Sequence, residues 1–290
     1  EILSAPFTPP PPPPTAGAGF DAIGYPPGLA GDVARYIFQS ARMPIHSFAV
    51  AGALTTIAHL NANGAWVGAS DTGLNIYTCL TGKSGAGKDG PRNAIKRIVG
   101  EVAKRAPLQP ALMCSMTEGY SSGPALLRAL SADRQGLMMT DEFGMFLQSA
   151  TAEGNSHLKD LVREMMALWG SSRSFHAGKR YADSKFDLEP VHCPYLNVLG
   201  TTTPVELAAA ITAKQVDNGF LNRILFIPAS EVNPINHAPD TRIAPALVAR
   251  LVELTERPAG PIDYDSEGTW RAMIQAGEQL TEPGEFEALW

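Results

Sequence analysis

Short apolar runs alternate with stretches of helical periodicity along most of the chain. The runs at 74–80, 136–140 and 195–200 are each short enough for a buried strand, and polar residues follow each of them. The segment 91–99 instead repeats apolar residues at helical spacing. Apolar strands that alternate with helices are typical of a parallel sheet covered on both faces. We therefore predict an α/β fold with a central, mainly parallel sheet.

The same pattern divides the chain into four parts. These are a proline-rich linker over 1–25, a helical lead-in over 26–70, an α/β core over 71–230 and a helical extension over 231–290. The prolines at 9–14 predict a stiff spacer, with a proline-rich docking peptide as the alternative. A spacer separates modules, so we expect further modules, with the helical extension also continuing beyond the end of the sequence.

The lead-in is predicted to be a pair of helices. Asp32 is placed to cap the first helix, and Val33, Tyr36 and Ile37 share one face of it. A second apolar stretch covers 48–60. We expect the pair to pack on the core of its own chain, with a neighbouring subunit as the alternative partner. In the extension, helices are predicted at 243–255 and 266–280.

The segment TGKSGAGKD at 81–89 follows the first core strand directly and has the G-x-x-x-x-G-K spacing of a phosphate-binding loop. Glycines let successive backbone N–H groups turn towards a phosphate, and a lysine adds positive charge near the outer phosphates. The motif predicts that ATP binds here. Its binding residues are predicted to be Gly82, Ser84, Gly85, Ala86, Gly87, Lys88 and Asp89.

The residue after the loop lysine departs from the usual motif. Ser or Thr is usual there, with its hydroxyl on Mg²⁺, but this chain has Asp89. A carboxylate also binds Mg²⁺, although it places a negative charge close to the phosphates. Asp89 is therefore predicted to be a Mg²⁺ ligand, and the departure weakens the case for fast hydrolysis more than the case for binding.

A pair of carboxylates, Asp141 and Glu142, ends the apolar run at 136–140. In P-loop ATPases an Asp at this place holds Mg²⁺, and a neighbouring Glu activates the attacking water. We predict these two roles for Asp141 and Glu142. Glu118, which follows another apolar run at 110–116, is the alternative general base.

Further polar candidates flank two later strands. Asn197 lies in the apolar run at 195–200 and Thr201 follows it, so either side chain is a candidate sensor of the terminal phosphate. Arg223 stands at the start of the apolar run at 224–227. An arginine there is a candidate finger that stabilises charge on a neighbouring subunit's ATP.

A basic segment lies between the second and third strands of the core. Over 173–185 it contains four Lys or Arg residues, one Asp and two aromatic residues, and it has a turn signal at Ala177–Gly178. Two short arms around a glycine predict a β-hairpin. Cations neutralise phosphates and aromatic rings stack on bases. Its candidate nucleic-acid contacts are Arg173, His176, Lys179, Arg180 and Lys185.

These features together resemble a family of P-loop proteins of phages, prophages and plasmids that are described as replication helicases and are often joined to primase modules. The resemblance covers about 26–227 and is carried by the lead-in, the loop at 82–89, Asp141–Glu142, the threonines at 201–203 and the segment GFLNR at 219–223. An acidic residue after the loop lysine is compatible with that family.

The resemblance implies a RecA- or AAA-like core that assembles as a homo-oligomeric ring, expected to be a hexamer, with ATP and Mg²⁺ at subunit interfaces. It also implies that the predicted hairpin projects into a central channel and contacts single-stranded DNA. An upstream primase module is a further expected partner.

Composition sets outer limits on these predictions. The net charge of −6 argues against a protein that coats nucleic acid with its whole surface, but it is compatible with a local basic channel. Cys79, Cys114 and Cys193 lie far apart without a C-x-x-C motif, so neither a disulfide framework nor a zinc site is indicated, and we expect buried thiols. No apolar run approaches the roughly 18 residues of a membrane span. We expect a cytoplasmic protein.

The sequence therefore favours an ATP-dependent nucleic-acid motor, a ring-forming helicase of a mobile element. Two other classes stay open. One is a nucleotide-binding assembly or regulatory protein with little hydrolysis, which Asp89 favours. The other is a protein-remodelling ATPase whose hairpin acts on polypeptide, against which the cations of the hairpin argue.

Overall fold

A computed structural model describes residues 24–61, 65–67, 72–105, 115–152, 154–211, 219–229 and 235–262. The predicted proline spacer, the helix at 266–280 and most of the strand at 110–116 lie outside these residues.

The described strands are β1 (Ala65–Val67), β2 (Thr72–Gly73), β3 (Tyr77–Thr81), β4 (Met116–Thr117), β5 (Gln135–Thr140), β6 (Phe175–His176), β7 (Val191–His192), β8 (Tyr195–Thr202), β9 (Ile224–Pro228) and β10 (Gly260–Ile262). The helices are α1 (Gly28–Ser40), α2 (His46–Leu60), α3 (Asp89–Arg105), α4 (Gly123–Ala132), α5 (Phe143–Thr151), α6 (Ser156–Trp169), α7 (Pro204–Ala210) and α8 (Pro245–Glu256).

A five-stranded sheet in the order β4–β5–β8–β3–β9 forms the centre of the fold. Each neighbouring pair of these strands is parallel, which confirms the predicted α/β class. The register pairs Thr81 with Thr202 and Thr140 with Gly200. Because parallel strands end at the same edge of a sheet, the segments that follow β3, β5 and β8 meet there.

Both faces of the sheet are buried, as its apolar strands predict. Alternate residues of each strand point to opposite faces. Leu80, Met139 and Leu199 join one core with helices α1, α2, α3 and α8. Cys79, Met138 and Val198 join a second core with α4, α5 and α6.

The lead-in forms the predicted pair of helices, and both pack on the first of these cores. The first helix begins earlier than expected, at Gly28 with Pro27 as its N-cap residue. Asp32 is therefore inside the helix and not its cap, and its carboxylate pairs with Arg35 and Arg250. The last of these contacts ties α1 to α8, the helix predicted at 243–255.

The lead-in and the extension also meet through strands that the sequence did not predict. Strand β1 pairs with β10 in parallel and with β2 in antiparallel orientation. Of the cysteines, Cys79 is a buried free thiol whose burial raises its pKa to about 12. Cys193 is only partly buried, contrary to expectation. Cys114 lies outside the described residues. Among the described residues, no helix has both the length and the apolarity to cross a bilayer.

Candidate functional site

The glycine-rich loop after β3 adopts a conformation that depends on two of its glycines. Gly85 and Gly87 have φ angles of 76° and 78°, in the left-handed region that L side chains rarely adopt. A Cβ atom on Gly87 would lie 2.2 Å from the carbonyl oxygen of Met43, whereas one on Gly85 would meet open space. Gly87 thus lets the loop lie directly against the segment between α1 and α2.

Lys88 lies where the loop meets the end of β8. Its Nζ donates to the carbonyl oxygens of Gly82, at 2.8 Å, and Thr202, at 3.2 Å. The backbone N–H of Gly82 also donates to the Thr202 carbonyl, at 3.1 Å. These bonds fix the ammonium group at the edge of the sheet, beside the N-terminus of α3.

Asp89 is the first residue of α3, and its side chain is exposed. A carboxylate in the first turn of a helix interacts favourably with the helix dipole. This position also lines the pocket beside Lys88. Asp89 therefore has a local structural role as well as a place within reach of a bound cation.

Asp141 follows β5 and is held by three different groups. Its Oδ1 accepts hydrogen bonds from the Thr201 hydroxyl and from the backbone N–H of Glu142, the latter at 3.0 Å. Arg92 Nη1 lies 3.4 Å from Oδ2. The hydrogen bond from Thr201 is the main cause that lowers the pKa of Asp141, with smaller contributions from the Glu142 N–H, Arg92 and Lys88, against the opposing effect of burial. The carboxylate is thus oriented and kept charged.

Glu142 has an unusual backbone conformation. Its φ is 51°, in the left-handed region, and it is the N-cap residue of α5 with an exposed side chain. A non-glycine residue with positive φ is uncommon and is often found at functional sites. The conformation turns the chain sharply after Asp141 and keeps the Glu142 side chain at the rim of the pocket.

The end of β8 adds polar groups for which the sequence predicts no individual role. Thr203 and Glu206 form a capping box at the start of α7, in which Thr203 Oγ1 accepts from the Glu206 N–H and Glu206 Oε2 accepts from the Thr203 N–H. The Thr202 hydroxyl accepts from the Gly144 N–H at 3.2 Å. The T-x-x-E spacing at 203–206 was the available sequence signal.

These elements enclose one pocket of about 370 Å³ at the carboxyl ends of the strands. Its lining brings together the loop, the Asp141–Glu142 pair and the end of β8. It contains one cationic side chain, that of Lys88, and four carboxylates. The lining residues are Ser84, Gly85, Ala86, Gly87, Lys88, Asp89, Asp141, Glu142, Thr202, Thr203 and Glu206.

The pocket suits a divalent cation that arrives with a polyphosphate. Mg²⁺ usually takes one or two protein carboxylates and completes its shell with water and phosphate oxygens. The charged, oriented Asp141 fits this requirement, and Asp89 is a second carboxylate on the same pocket. No group of three or more His, Cys, Asp or Glu side chains in the described part of the chain is arranged to hold a metal ion by itself.

Glu118, the alternative general base, follows β4 on the far side of β5. It makes ion pairs with Lys96, at 3.3 Å, and with Arg92, at 3.8 Å, and its side chain is 75% exposed. It does not line the pocket itself, but Arg92 links it to Asp141.

Asn197 was predicted as a phosphate sensor, and the structure contradicts this prediction. It lies in the first half of β8, five residues before Thr202, which is about 16 Å along a strand. The side chain is fully buried, and its Oδ1 accepts from the backbone N–H of Ile76 at 2.9 Å. Its side-chain amide holds the residue that precedes β3, at the amino-terminal ends of the strands. Thr201, the other candidate, is fully buried and contacts the site through its hydrogen bond to Asp141, so its role as a phosphate sensor stays a prediction.

Arg223 also lies at the amino-terminal ends of the strands, away from the pocket, because it immediately precedes β9 and Ile224 pairs with Tyr77 at the start of β3. Its Nη1 donates to the Gly219 carbonyl at 2.7 Å. Arg223 therefore does not belong to the pocket of its own chain, and its action on a neighbouring subunit stays a prediction.

The predicted hairpin exists but is longer than expected. Strands β6 and β7 pair Phe175 with His192, and Lys179 and Leu188 exchange backbone hydrogen bonds of 3.0 and 2.8 Å. The prediction of a turn at Ala177–Gly178 is wrong, because the chain reverses direction beyond Lys179. Gly178 has a φ of 76°, and a Cβ there would lie 2.1 Å from the Leu188 carbonyl oxygen. The glycine permits a close approach between the two arms, and the tip lies at 180–187.

The cations of this hairpin mostly have acidic partners. Lys179 Nζ lies 2.6 Å from Glu164 and 2.8 Å from Asp160, both on α6, and His176 Nε2 lies 2.8 Å from Glu164. At the tip, exposed pairs join Arg180 to Asp187 and Glu189, and Lys185 to Asp183. Arg173 stacks over the ring of Trp66 at 3.5 Å.

The exposed surface of the hairpin carries three aromatic side chains as well as these charged pairs. Phe175, Phe186 and Tyr181 expose 57%, 48% and 39% of their surface. The hairpin is less basic than the count over 173–185 suggests, because Asp187 and Glu189 lie beyond that segment and Asp160 and Glu164 come from another element.

Comparison with models of protein families, with curated proteins and with solved structures finds no match to this chain.

Proposed function

We propose that this chain is a Mg²⁺-dependent P-loop ATPase with a RecA- or AAA-like core that works as a nucleic-acid motor in a homo-oligomeric ring. The observation that carries the proposal is that Lys88, Asp141 and Thr202 line one pocket at the carboxyl ends of β3, β5 and β8. Thr201 orients Asp141 there. Phosphate loops, metal-binding carboxylates and polar strand ends serve phosphoryl transfer in this arrangement.

Each group has a defined task in the proposed reaction. Backbone N–H groups of the loop and Lys88 hold the phosphates, while Asp141 and Asp89 hold the cation with its water shell. Mg²⁺ supplies charge neutralisation on the phosphate oxygens. Glu142 accepts a proton from water as the water oxygen bonds to the terminal phosphorus and the bond to the bridging oxygen breaks. Arg223 is proposed to act on the ATP of a neighbouring chain.

Single-stranded DNA is the proposed track, and the hairpin at 175–192 is the proposed contact. Its exposed rings support stacking on bases, which works without sequence preference. A protein-remodelling ATPase is the second candidate, because paired cations and exposed aromatic rings also suit an extended polypeptide.

ATP hydrolysis measured without a ligand, with single-stranded DNA and with an unfolded polypeptide tests the proposal. Stimulation by DNA that Lys88→Ala and Glu142→Gln both abolish is the expected result. Stimulation by polypeptide alone would replace the motor with the remodelling ATPase. Tight ATP binding without turnover under all three conditions would point instead to a nucleotide-gated assembly protein.

A further inference from the structure

Arg92 occupies a central position among the acidic groups beside the pocket, although no motif marks it. It lies on α3, one helical turn after Lys88, and its side chain is only 12% exposed. Nη1 lies 3.4 Å from Asp141 Oδ2, and Nη2 lies 3.8 Å from Glu118 Oε1. Nη2 also donates to the Met139 carbonyl at 3.3 Å. One guanidinium therefore contacts both β5 and the residue that follows β4.

The hydrogen bond from Nη2 to the Met139 carbonyl restrains one end of this guanidinium. A planar, permanently charged group with several donors can contact two carboxylates and a carbonyl together, which an ammonium group does less well. Its burial reduces screening by solvent, whereas the Lys96–Glu118 pair is more exposed. Arg92 is thus the less screened of the two cations beside Glu118.

We infer that Arg92 is a positioning residue that links Asp141 to Glu118 and competes with the divalent cation for Asp141. The inference rests on the proposed function, since it assigns a regulatory contact within the same site. Asp141 Oδ2 faces Arg92, while Oδ1 is occupied by Thr201 and Glu142. A cation that approaches Oδ2 meets the positive charge of Arg92.

Two consequences follow when the guanidinium is removed. Asp141 loses a competing cation, so Mg²⁺ should bind more tightly in the presence of nucleotide. Asp141 also loses one of the groups that orient it, and Glu118, the alternative general base, loses one of its two cationic partners, so turnover should fall. Substitution of a residue with a merely structural role would not strengthen Mg²⁺ binding and lower turnover at the same time.

The test compares Arg92→Gln and Arg92→Lys with the unchanged protein in Mg²⁺ titrations of fluorescent ATP-analogue binding, together with kcat. Arg92→Gln should lower the Mg²⁺ half-saturation concentration about threefold and lower kcat about tenfold. Arg92→Lys should restore the half-saturation concentration and only part of kcat, because it keeps the charge but loses the planar fork.

The matched control is Arg97→Gln on the same helix, whose guanidinium donates to Tyr36 Oη at 3.0 Å and Ser40 Oγ at 3.1 Å. This variant should leave the Mg²⁺ dependence unchanged. An unchanged or raised half-saturation concentration in a folded Arg92→Gln protein would overturn the inference alone. If the unchanged protein fails to bind the nucleotide with Mg²⁺, the proposed function fails, and the inference falls with it.

The link to Glu118 has a separate readout. In the double variant Arg92→Gln/Glu118→Gln, kcat should be about the same as in the single variant with the lower kcat. Both changes break the same contact, so their effects should not multiply. Multiplicative losses in kcat would show that Arg92 does not act through Glu118.

Discussion

The hydroxyl of Thr201 donates a hydrogen bond to the carboxylate of Asp141, and so ties the end of β8 to the end of β5. Thr201 is fully buried, whereas the Asp141 side chain is 57% exposed. A buried donor therefore orients an exposed carboxylate at the rim of the pocket. Because β8 lies between β3, which precedes the loop, and β5, which precedes Asp141, the order of the strands brings Thr201 beside Asp141.

Thr201→Val should destabilise the protein by about 1 kcal/mol at neutral pH, a value reduced for the exposure of the carboxylate. The lowered pKa of Asp141 makes its stabilising contribution complete above the unfolded-state pKa of about 3.9. That contribution is lost as pH falls through the lower folded-state pKa. Urea unfolding across pH should thus show a difference that shrinks under acid. Thr201→Ser, which keeps the hydroxyl, is the control, and a pH-independent difference would contradict this origin.

Gly87→Ala should disrupt the loop much more than Gly85→Ala does. Both glycines have positive φ, so each substitution carries a backbone strain of about 1–2 kcal/mol. Only at Gly87 does the new Cβ also meet backbone, at the Met43 carbonyl. Thermal unfolding of the two variants isolates this contact. Equal losses of stability would mean that the loop does not need its close approach to Met43.

Lys179→Met should loosen the hairpin from α6. Glu164 is only 4% exposed, and Lys179 is one of its two cationic or potentially cationic partners. Removing one member of a buried ion pair typically costs about 3–5 kcal/mol. Lys185→Met, which removes an exposed pair with Asp183, should cost about 0–1 kcal/mol. The two free energies of unfolding should differ clearly, and similar values would mean that the buried pair does not anchor the hairpin.

Binding of single-stranded DNA should depend more on the rings of the hairpin than on its cations. Phe175→Ala and Phe186→Ala should each weaken binding about tenfold, since stacking contributes about 1–3 kcal/mol per base. Lys185→Gln should have little effect because Asp183 already neutralises this lysine. Affinity measured against salt concentration should give a shallow slope. A steep slope with no effect of the ring substitutions would favour cationic contacts instead.

The sequence was sufficient for features that depend on neighbouring residues. The loop at 82–88, the helix after it and the carboxylates at 141 and 142 follow from local spacing, and the structure places them at one edge of the sheet. The sequence was insufficient where strand length decided the outcome. Asn197 lies within the apolar run at 195–200 and Thr201 directly follows it, but both belong to β8, and only the last residues of that strand lie beside the site.

Contacts between distant segments were also beyond the sequence. The acidic partners of Lys179 come from α6, so a count of charges within the hairpin overestimated its basic surface. Arg92 received no role because its partners, Asp141 and Glu118, follow two different strands. The close contact between Met43 and Gly87 likewise depends on the packing of the lead-in.

Calorimetric titration with a slowly hydrolysed ATP analogue and Mg²⁺, comparing Lys88→Ala with Lys83→Ala, tests whether the loop at 82–89 binds a nucleotide. Lys88 Nζ faces the pocket at the Thr202 carbonyl, whereas Lys83 is exposed on the same loop. Lys88→Ala should weaken binding about 10- to 100-fold, while Lys83→Ala should bind nearly as the unchanged protein does. Equal affinities of the two variants, or no binding by the unchanged protein, would contradict a nucleotide site at this loop.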